Sequence, residues 1–123
     1  MKDKNYSKGK EGEVMARDFL EKKGWRLVKM NYTNELGEID LIMIDESVLV
    51  FVEVKLKLGQ RYGRPEEMIG PRKLWRIRQV AERYLGMEVE MAKKYEQQRI
   101  DAVCIVKENN KVGRISHYEN IEG

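Results

Sequence analysis

The stretch GEIDLIMIDESVLVFVEVKLK, residues 37–57, decides the fold. Glu38–Asp45 and Val48–Lys57 are rich in Ile, Leu and Val and short enough to be strands, and Glu46-Ser47 between them predicts a tight turn. We therefore predict a β-hairpin whose strands, apolar on both faces, are covered on both sides. Ionised side chains in such strands cost several kcal/mol each unless they are paired or bind a metal, so the charged residues here indicate a functional site.

The hairpin predicts which charged side chains meet. Pairing across a two-residue turn places Asp40 opposite Glu53, with Cβ atoms about 5 Å apart. Lys55 points to the same face as Glu53 and lies opposite Glu38. The other face is expected to be entirely apolar, and consists of Ile39, Leu41, Met43, Val48, Val50, Val52, Val54 and Leu56.

These charges are typical of one kind of chemistry. Two carboxylates this close repel each other unless a cation lies between them, and their oxygens suit Mg²⁺ or Mn²⁺. Lys55 could orient or deprotonate a water and offset charge on a phosphate, which completes a set typical of metal-assisted phosphodiester hydrolysis. The alternative is a closed salt-bridge network at the sheet edge, formed by Glu38, Asp40, Glu53 and Lys55. A register slip of one residue would send the carboxylates to opposite faces and remove the metal interpretation.

The rest of the chain predicts helices around a sheet. A first helix is expected from about Lys8 to Lys23, with Ser7 as its N-cap and Gly24 as its stop. The other predicted elements are a strand over Trp25–Asn31, a helix over Pro71–Leu85, and strands over Ile100–Val106 and Arg114–Tyr118. Residues 86–98 form either a short charged helix or a loop. The order α-β-β-β-α-β-β predicts one α/β domain over residues 1–123, with a mixed central sheet flanked by helices.

Composition narrows the class of protein. The chain has 123 residues and a net charge of +3, and no apolar run is long enough to cross a bilayer. The polar, lysine-rich start does not resemble a signal peptide, so a soluble cytoplasmic protein with no membrane partner is expected. The single Cys104 lies in an apolar run and is predicted to be buried filler rather than a reactive thiol.

Four other side chains carry weaker predictions. Trp25 and Trp75 are predicted to be packing anchors rather than platforms for base stacking. His117, the single histidine, is predicted to be a surface or edge residue. Asp101 is expected to pair with Arg99 or another basic neighbour.

A basic stretch follows the hairpin. Residues 55–84 contain nine basic and three acidic residues, an excess of +6 against +3 for the whole chain. Such a stretch suits a phosphate backbone, although an ordinary solvated helix face with ion pairs is the alternative. No base-reading motif is present, which favours recognition of shape or backbone over sequence. The predicted nucleic-acid contacts are Lys57, Arg61, Arg64, Arg72, Lys73 and Arg76.

The motifs together resemble a known family. They comprise Gly12-Glu13, Ala16, Leu20, Gly24, Asn31, residues 37–42, residues 51–55, Gly63 and Lys73. From about residue 9 to residue 106 the chain resembles the YraN-type family of uncharacterised bacterial proteins. That family is similar in fold to restriction-endonuclease-like nucleases of the PD-(D/E)xK superfamily, and especially to archaeal Holliday junction resolvases. The resemblance implies an αβββαβ core with a mixed sheet.

The resemblance also implies roles for individual residues. Asp40 and Glu53 would be metal ligands, Lys55 the catalytic lysine, and Glu13 an acidic residue on the first helix that helps to bind a metal or its water. Ile39 stands where the superfamily often has proline. Taken from the residues alone, Glu13 is equally well explained as a solvated glutamate in the first turn of the helix.

The implied activity is that of a Mg²⁺- or Mn²⁺-dependent endonuclease that hydrolyses DNA, with branched or junction DNA as the substrate suggested by the likeness to resolvases. A homodimer is also implied, because resolvase-like enzymes cut two strands symmetrically. The alternatives are a nucleic-acid-binding protein that keeps the nuclease fold without turnover, and a structural or interaction domain.

Overall fold

The computed structural model describes residues 4–58 and 69–123, which form helices on both faces of a five-stranded sheet. The elements are α1 (Lys4–Glu21), β1 (Arg26–Asn34), β2 (Gly37–Asp45), β3 (Val48–Leu58), α2 (Pro71–Met87), α3 (Val89–Lys94), β4 (Gln97–Glu108) and β5 (Lys111–Tyr118). The sheet order is β1-β2-β3-β4-β5, in which β3 and β4 are parallel and the other neighbours are antiparallel. This is the predicted α/β fold, a mixed sheet built on an αβββαβ core. The ambiguous residues 86–98 contain the short helix α3.

The first helix is longer than predicted. It begins at Lys4, so Ser7 lies inside the helix and the prediction that Ser7 is the N-cap is wrong. No glycine or proline in residues 4–7 interrupts a helix. The predicted stop is confirmed, because Gly24 has φ +95° and the Trp25 N–H donates to the Leu20 carbonyl at 3.2 Å.

The β2–β3 hairpin has the predicted register. The ladder runs from Asp45–Val48 to Leu41–Val52 and ends there, so Asp40 lies one residue beyond the last pair. The predicted alternation also ends at this point, since Ile39 packs with Ile42 and the α2 side of the core instead of with the opposite face. The prediction for Ile39 is therefore wrong, because the pairing of β2 with β3, on which the prediction was based, ends at Leu41, and beyond it β2 pairs only with β1.

The core has two layers, one on each face of the sheet. On one face, Ile77, Val80 and Tyr84 of α2 pack on Ile42 and Phe51. On the other face, α1 packs on the sheet through a cluster that includes Ala16, Leu20, Leu41, Val50, Val52 and Ile105. The strands read as apolar on both faces because both faces are covered. The core therefore holds the ends of β2 and β3 between α1 and α2.

Tryptophan burial differs between the two predicted anchors. Trp25 is 6% exposed, as predicted, whereas Trp75 is 64% exposed and is not a packing anchor. Trp75 lies on the outer side of α2, away from the buried residues Ile77 and Val80.

Cys104 is buried as predicted. In the described ranges, no helix combines the length and the apolar character needed to span a bilayer.

Asp101 is a fully buried carboxylate with three hydrogen-bond donors. Arg99 Nε donates at 3.0 Å and the Asn120 N–H at 2.9 Å, and His117 Nε2 lies 2.8 Å from the carboxylate. Burial alone would raise its pKa, but hydrogen bonds from these groups hold the pKa of Asp101 below its ordinary value. The pairing with Arg99 is confirmed. His117 lies on the edge strand β5, as one of its two predicted alternatives states, but the surface alternative is wrong, because its side chain is 5% exposed and packs edge-on against Trp25.

Candidate active site

A cleft of about 870 Å³ lies where β2 and β3 pass between α1 and the start of α2. Its lining includes Glu13, Glu38, Asp40, Glu53, Arg72, Lys73 and Arg76. Lys55 and Lys57 are half-buried on β3 and do not line this cleft. Arg61 and Arg64, and the Gly63 of the family motif, lie outside the described residues. The structure thus brings together three predicted carboxylates and three predicted nucleic-acid contacts.

Asp40 is held by the end of the β2–β3 ladder. Its Oδ2 accepts a hydrogen bond from the Val54 N–H at 2.7 Å, in the place where a backbone carbonyl would continue the pairing. Burial, a hydrogen bond with Glu53 and the charge of Glu53 raise the pKa of Asp40 to about 9. At neutral pH Asp40 is therefore protonated and donates to Glu53, so the predicted contact between the two carboxyl groups is present.

Glu53 is buried and pairs with α2. Its side chain is 8% exposed, and its Oε2 lies 2.6 Å from Lys73 Nζ. Burial acts to lower the pKa of Lys73, but its contacts with Glu53 and Lys55 outweigh burial and raise the pKa. Lys73 therefore faces a carboxylate within the cleft, instead of extending into solvent as a backbone contact would. The Oε2 atom makes no hydrogen bond of good geometry within the described chain, so the contact with Lys73 is an ion pair only.

Lys55 lies beside this ion pair. Burial lowers its pKa, as do the contact with Lys73 and the charges of Lys73 and Lys57, while the charge of Glu53 opposes them. A lysine with a lowered pKa gives up its proton more readily than an ordinary surface lysine. Lys55 therefore has the properties that a proton acceptor or a water-orienting group needs.

Glu13 faces the cleft from the third turn of α1. Its Oε1 is buried and makes no hydrogen bond to any described residue, while a hydrogen bond with Asn31 holds the carboxyl group. Burial raises the pKa of Glu13, against the hydrogen bond with Asn31, which lowers it. The alternative of a solvated first-turn glutamate is wrong, because α1 begins at Lys4 and the Glu13 side chain is half-buried, with its Oε1 closed off from solvent.

Two residues outside the predicted site set lie next to Glu13. Asn31 has φ +54°, an unusual conformation within a strand, and hydrogen-bonds the Glu13 carboxyl group. Gly12 packs against β3, where a Cβ would make ordinary van der Waals contact with the Leu56 Cβ at 3.4 Å. Both residues belong to the family motif, and the motif was the one sequence signal that could have identified them.

The donor set fits a hard divalent cation in its chemistry. Glu13, Asp40 and Glu53 offer carboxylate oxygens from three elements, and the Glu13 Oε1 has no partner in the described ranges. No three carboxylate, imidazole or thiol groups in residues 4–58 and 69–123 lie together as a ready metal site. The proton on Asp40 and the ammonium of Lys73 instead neutralise the carboxylates. A cation would have to replace both.

The sequence profile of the uncharacterised protein family UPF0102 matches residues 12–105. The chain belongs to this family. The match covers α1 from Gly12 onward, the β2–β3 hairpin and α2, all of which line the cleft. UPF0102 is the YraN-type family that the motifs resemble, and its profile lies inside the predicted range of residues 9 to 106.

Bacterial relatives extend the similarity to most of the chain. A UPF0102 protein of Pelotomaculum thermopropionicum is 40% identical over 113 residues, which are 91% of this chain and 92% of the relative. A UPF0102 protein of Natranaerobius thermophilus is 39% identical over 114 residues, 92% of this chain and 94% of the relative. A third relative, from Thermodesulfovibrio yellowstonii, is 36% identical over 112 residues, 91% of this chain and 92% of the relative.

Proposed function

We propose that this UPF0102 protein is a Mg²⁺- or Mn²⁺-dependent endonuclease that hydrolyses DNA phosphodiester bonds. The observation that supports this best is the contact between the half-buried Asp40 and the buried Glu53 at the end of a hairpin. Lys55 lies two residues beyond Glu53 with a lowered pKa. The two carboxyl groups cannot both remain charged, and they lie beside a lysine with a lowered pKa and a cleft rich in basic residues. This combination is more typical of a site for phosphoryl chemistry than of a network that stabilises the fold.

The proposal gives each residue of the candidate site a role. Asp40 is oriented by the Val54 N–H, and Glu13 by Asn31, so both carboxyl groups are held before a substrate arrives. Lys55 lies next to the cleft, in contact with Lys73, and from there accepts a proton from, or orients, the attacking water. A divalent cation held by Asp40, Glu53 and Glu13 would supply stabilisation of the charge that develops on the phosphate.

The rim of the cleft supports DNA as the substrate. Arg72 and Arg76 line the cleft one helical turn apart, and neither makes an ion pair within the described chain. They also lie in the first turns of α2, where the helix dipole favours phosphate. Since the sequence has no base-reading motif, the proposed substrate is recognised by structure, with branched or junction DNA as the candidate. Symmetric cutting of two strands would require a homodimer, and a DNA substrate would place the protein in the cytoplasm.

The ion pair between Glu53 and Lys73 favours a second candidate. At 2.6 Å it neutralises the carboxylate without a metal, as a nuclease fold that binds nucleic acid without turnover would do. In that case Arg72 and Arg76 would still bind phosphate, and binding would weaken steeply with salt. The two candidates differ in turnover, not in where DNA binds.

A cleavage assay with isosteric variants tests the proposal. Single-stranded, duplex, flap and four-way junction DNA are incubated with Mg²⁺ or Mn²⁺ and wild-type protein, Asp40→Asn, Glu53→Gln or Lys55→Met. We expect each variant to reduce cleavage by about a hundredfold or more, as removal of one stabilising group does elsewhere. The matched control is Glu38→Gln, an exposed carboxylate on the same cleft.

The outcomes separate the candidates. Cleavage that survives all three substitutions would show that this site is not catalytic. Salt-dependent binding without cleavage by any form would favour the second candidate. Absence of both cleavage and binding would leave a structural or interaction domain.

A further inference from the structure

Trp75 is the largest exposed apolar side chain on the described surface. An indole ring 64% open to water gives up most of the free energy that its burial would provide, and exposed aromatic rings often mark contact sites. The other tryptophan, Trp25, is buried and packs against His117. The fold therefore has no need of Trp75 for its core.

The position of Trp75 connects it to the cleft. It lies in the second turn of α2, three residues after Arg72 and one before Arg76. Three residues advance a helix by about 300°, so Trp75 lies about 60° round the helix from Arg72. Arg72 and Arg76 line the cleft, and the indole ring therefore lies on the solvent side of the same basic edge.

We propose that Trp75 stacks on an unpaired base of a DNA strand whose backbone is bound by Arg72 and Arg76. An indole face next to two cations that have no ion pair in the described chain is the combination that single-strand-binding surfaces use. The neighbouring cations on α2 are already occupied, because Arg78 pairs with Glu122 and Arg83 with Glu35. Among the cations of α2, those without an ion pair in the described chain are therefore the two at the edge between Trp75 and the cleft.

A second copy of the chain fits this surface less well. A symmetric contact through Trp75 would bring Arg72 and Arg76 of the two copies together, and like charges that face each other in an interface repel and weaken it. A nucleic acid supplies both an aromatic face and negative charge. Charge complementarity therefore favours DNA as the occupant.

The inference deepens the proposed function, on which its choice of substrate rests. Bases in a perfect duplex are stacked on each other and are reached only at the cost of unstacking. A stacking residue at the cleft edge therefore selects substrates with unpaired bases, such as single strands, flaps and open junction centres. Perfect duplex DNA would bind through its backbone alone.

Binding measured in EDTA tests this stacking without any cleavage. A fluorescein-labelled single-stranded oligonucleotide and a duplex of the same length are titrated with wild type, Trp75→Ala, Trp75→Phe and Arg72→Ala. We expect Trp75→Ala to weaken single-strand binding about 5- to 100-fold and to change duplex binding less than twofold, with partial recovery in Trp75→Phe. Arg72→Ala should weaken both substrates alike and reduce the salt slope by about one. Met87→Ala, at the exposed far end of the same helix, is the matched control.

Intrinsic fluorescence gives a second, direct readout. Single-stranded DNA should quench the emission of wild type, and the quenching should disappear in Trp75→Phe, which retains only the buried Trp25. Unchanged single-strand affinity in Trp75→Ala, or an equal loss on duplex, would overturn the inference. A dimer that dissociates in Trp75→Ala, with DNA affinity unchanged, would also overturn it and identify Trp75 as a contact between copies.

These outcomes are independent of turnover. Trp75-dependent binding without cleavage would support stacking and contradict the proposed endonuclease activity. Cleavage with no effect of Trp75→Ala on single-strand binding would contradict stacking alone.

Discussion

The contact between Asp40 and Glu53 predicts that Asp40→Asn makes the metal-free protein more stable near neutral pH. The pKa of Asp40 is raised to about 9, so the folded chain takes up a proton at Asp40 that the unfolded chain lacks. Asparagine has the same shape, accepts from the Val54 N–H through its oxygen and donates to Glu53 through its amide. The variant keeps both hydrogen bonds without binding a proton.

The sign and size of the effect follow from the raised pKa. Because the folded pKa lies above the ordinary value of 3.8, the contribution of Asp40 to stability is fully present below pH 4 and is lost as the pH rises toward 9. Each pH unit in this window lowers the free energy of unfolding of wild type by about 1.4 kcal/mol relative to a variant that does not titrate at this position. At pH 7, a little over three units above the ordinary pKa, Asp40→Asn therefore gains up to about 4 kcal/mol over wild type.

Urea unfolding in EDTA at pH 5, 6, 7 and 8 measures this difference. The free energy of unfolding of Asp40→Asn minus that of wild type should increase steadily with pH. Asp18→Asn, on the exposed side of α1, is the control. Its free energy of unfolding should differ from that of wild type by the same amount at every pH. If the free energies of unfolding of Asp40→Asn and wild type change in parallel between pH 5 and pH 8, Asp40 is ionised in the folded chain. The assignment of its proton would then be wrong.

Two further substitutions test the packing at the cleft and the buried charge of Asp101. Gly37→Ala should destabilise the protein by about 1–3 kcal/mol in thermal unfolding, because Gly37 has φ +147° and a Cβ would lie 3.1 Å from the Val80 Cγ2; Gly86→Ala, in open space on α2, should have no cost, and equal effects of the two would contradict the steric explanation. Asp101→Asn should cost about 3–5 kcal/mol at pH 7, because it breaks a buried pair. Since the pKa of Asp101 is lowered, its contribution is present above the ordinary pKa and is lost as the pH falls through the lower folded value. The difference from wild type should therefore shrink in urea unfolding below about pH 4, and a difference that does not change with pH would contradict the lowered pKa.

The hairpin and its carboxyl pair could be predicted because a tight turn fixes the register of the two strands. The same calculation fails for the second hairpin, at Asn109-Asn110, because the register shifts between Val106 and Lys107. A tight turn alone would pair His117 with Ala102, whereas the shift pairs it with Val103, whose side chain shares a face with that of Asp101. The burial of His117 beside Asp101 therefore depends on an irregularity that the turn does not predict.

The exposure of Trp75 follows from the helical period. The buried residues Ile77 and Ala81 mark the inner side of α2, and Trp75 lies well away from it round the helix. The prediction of Trp75 as a packing anchor follows instead from the general tendency of tryptophan to be buried. The period gives the correct answer here because packing on the sheet, and not residue type, decides which side of a helix is covered.

The contact of Lys73 with Glu53 could not be predicted in this way. It joins the first turn of α2 to the end of β3, across residues 59–68, and its existence depends on how the helix packs on the sheet. The position of Glu13 was uncertain for a related reason, since it depended on where α1 begins. Local signals predict elements and registers, whereas contacts between elements follow from tertiary packing.

The electrostatics of the carboxyl pair help to distinguish a site from a structural network. A network kept for stability would pair each charge with an opposite one and would lower the pKa of its carboxyl groups, as the surroundings of Asp101 do. Asp40 shows the reverse, a raised pKa beside another carboxylate, and Glu13 keeps a buried oxygen that no described residue satisfies. Both features make the folded chain less stable, and proteins retain such costs chiefly where function needs them. The contrast between Asp101 and Asp40 within one sheet therefore favours the interpretation of the cleft as an active site over that of a salt-bridge network.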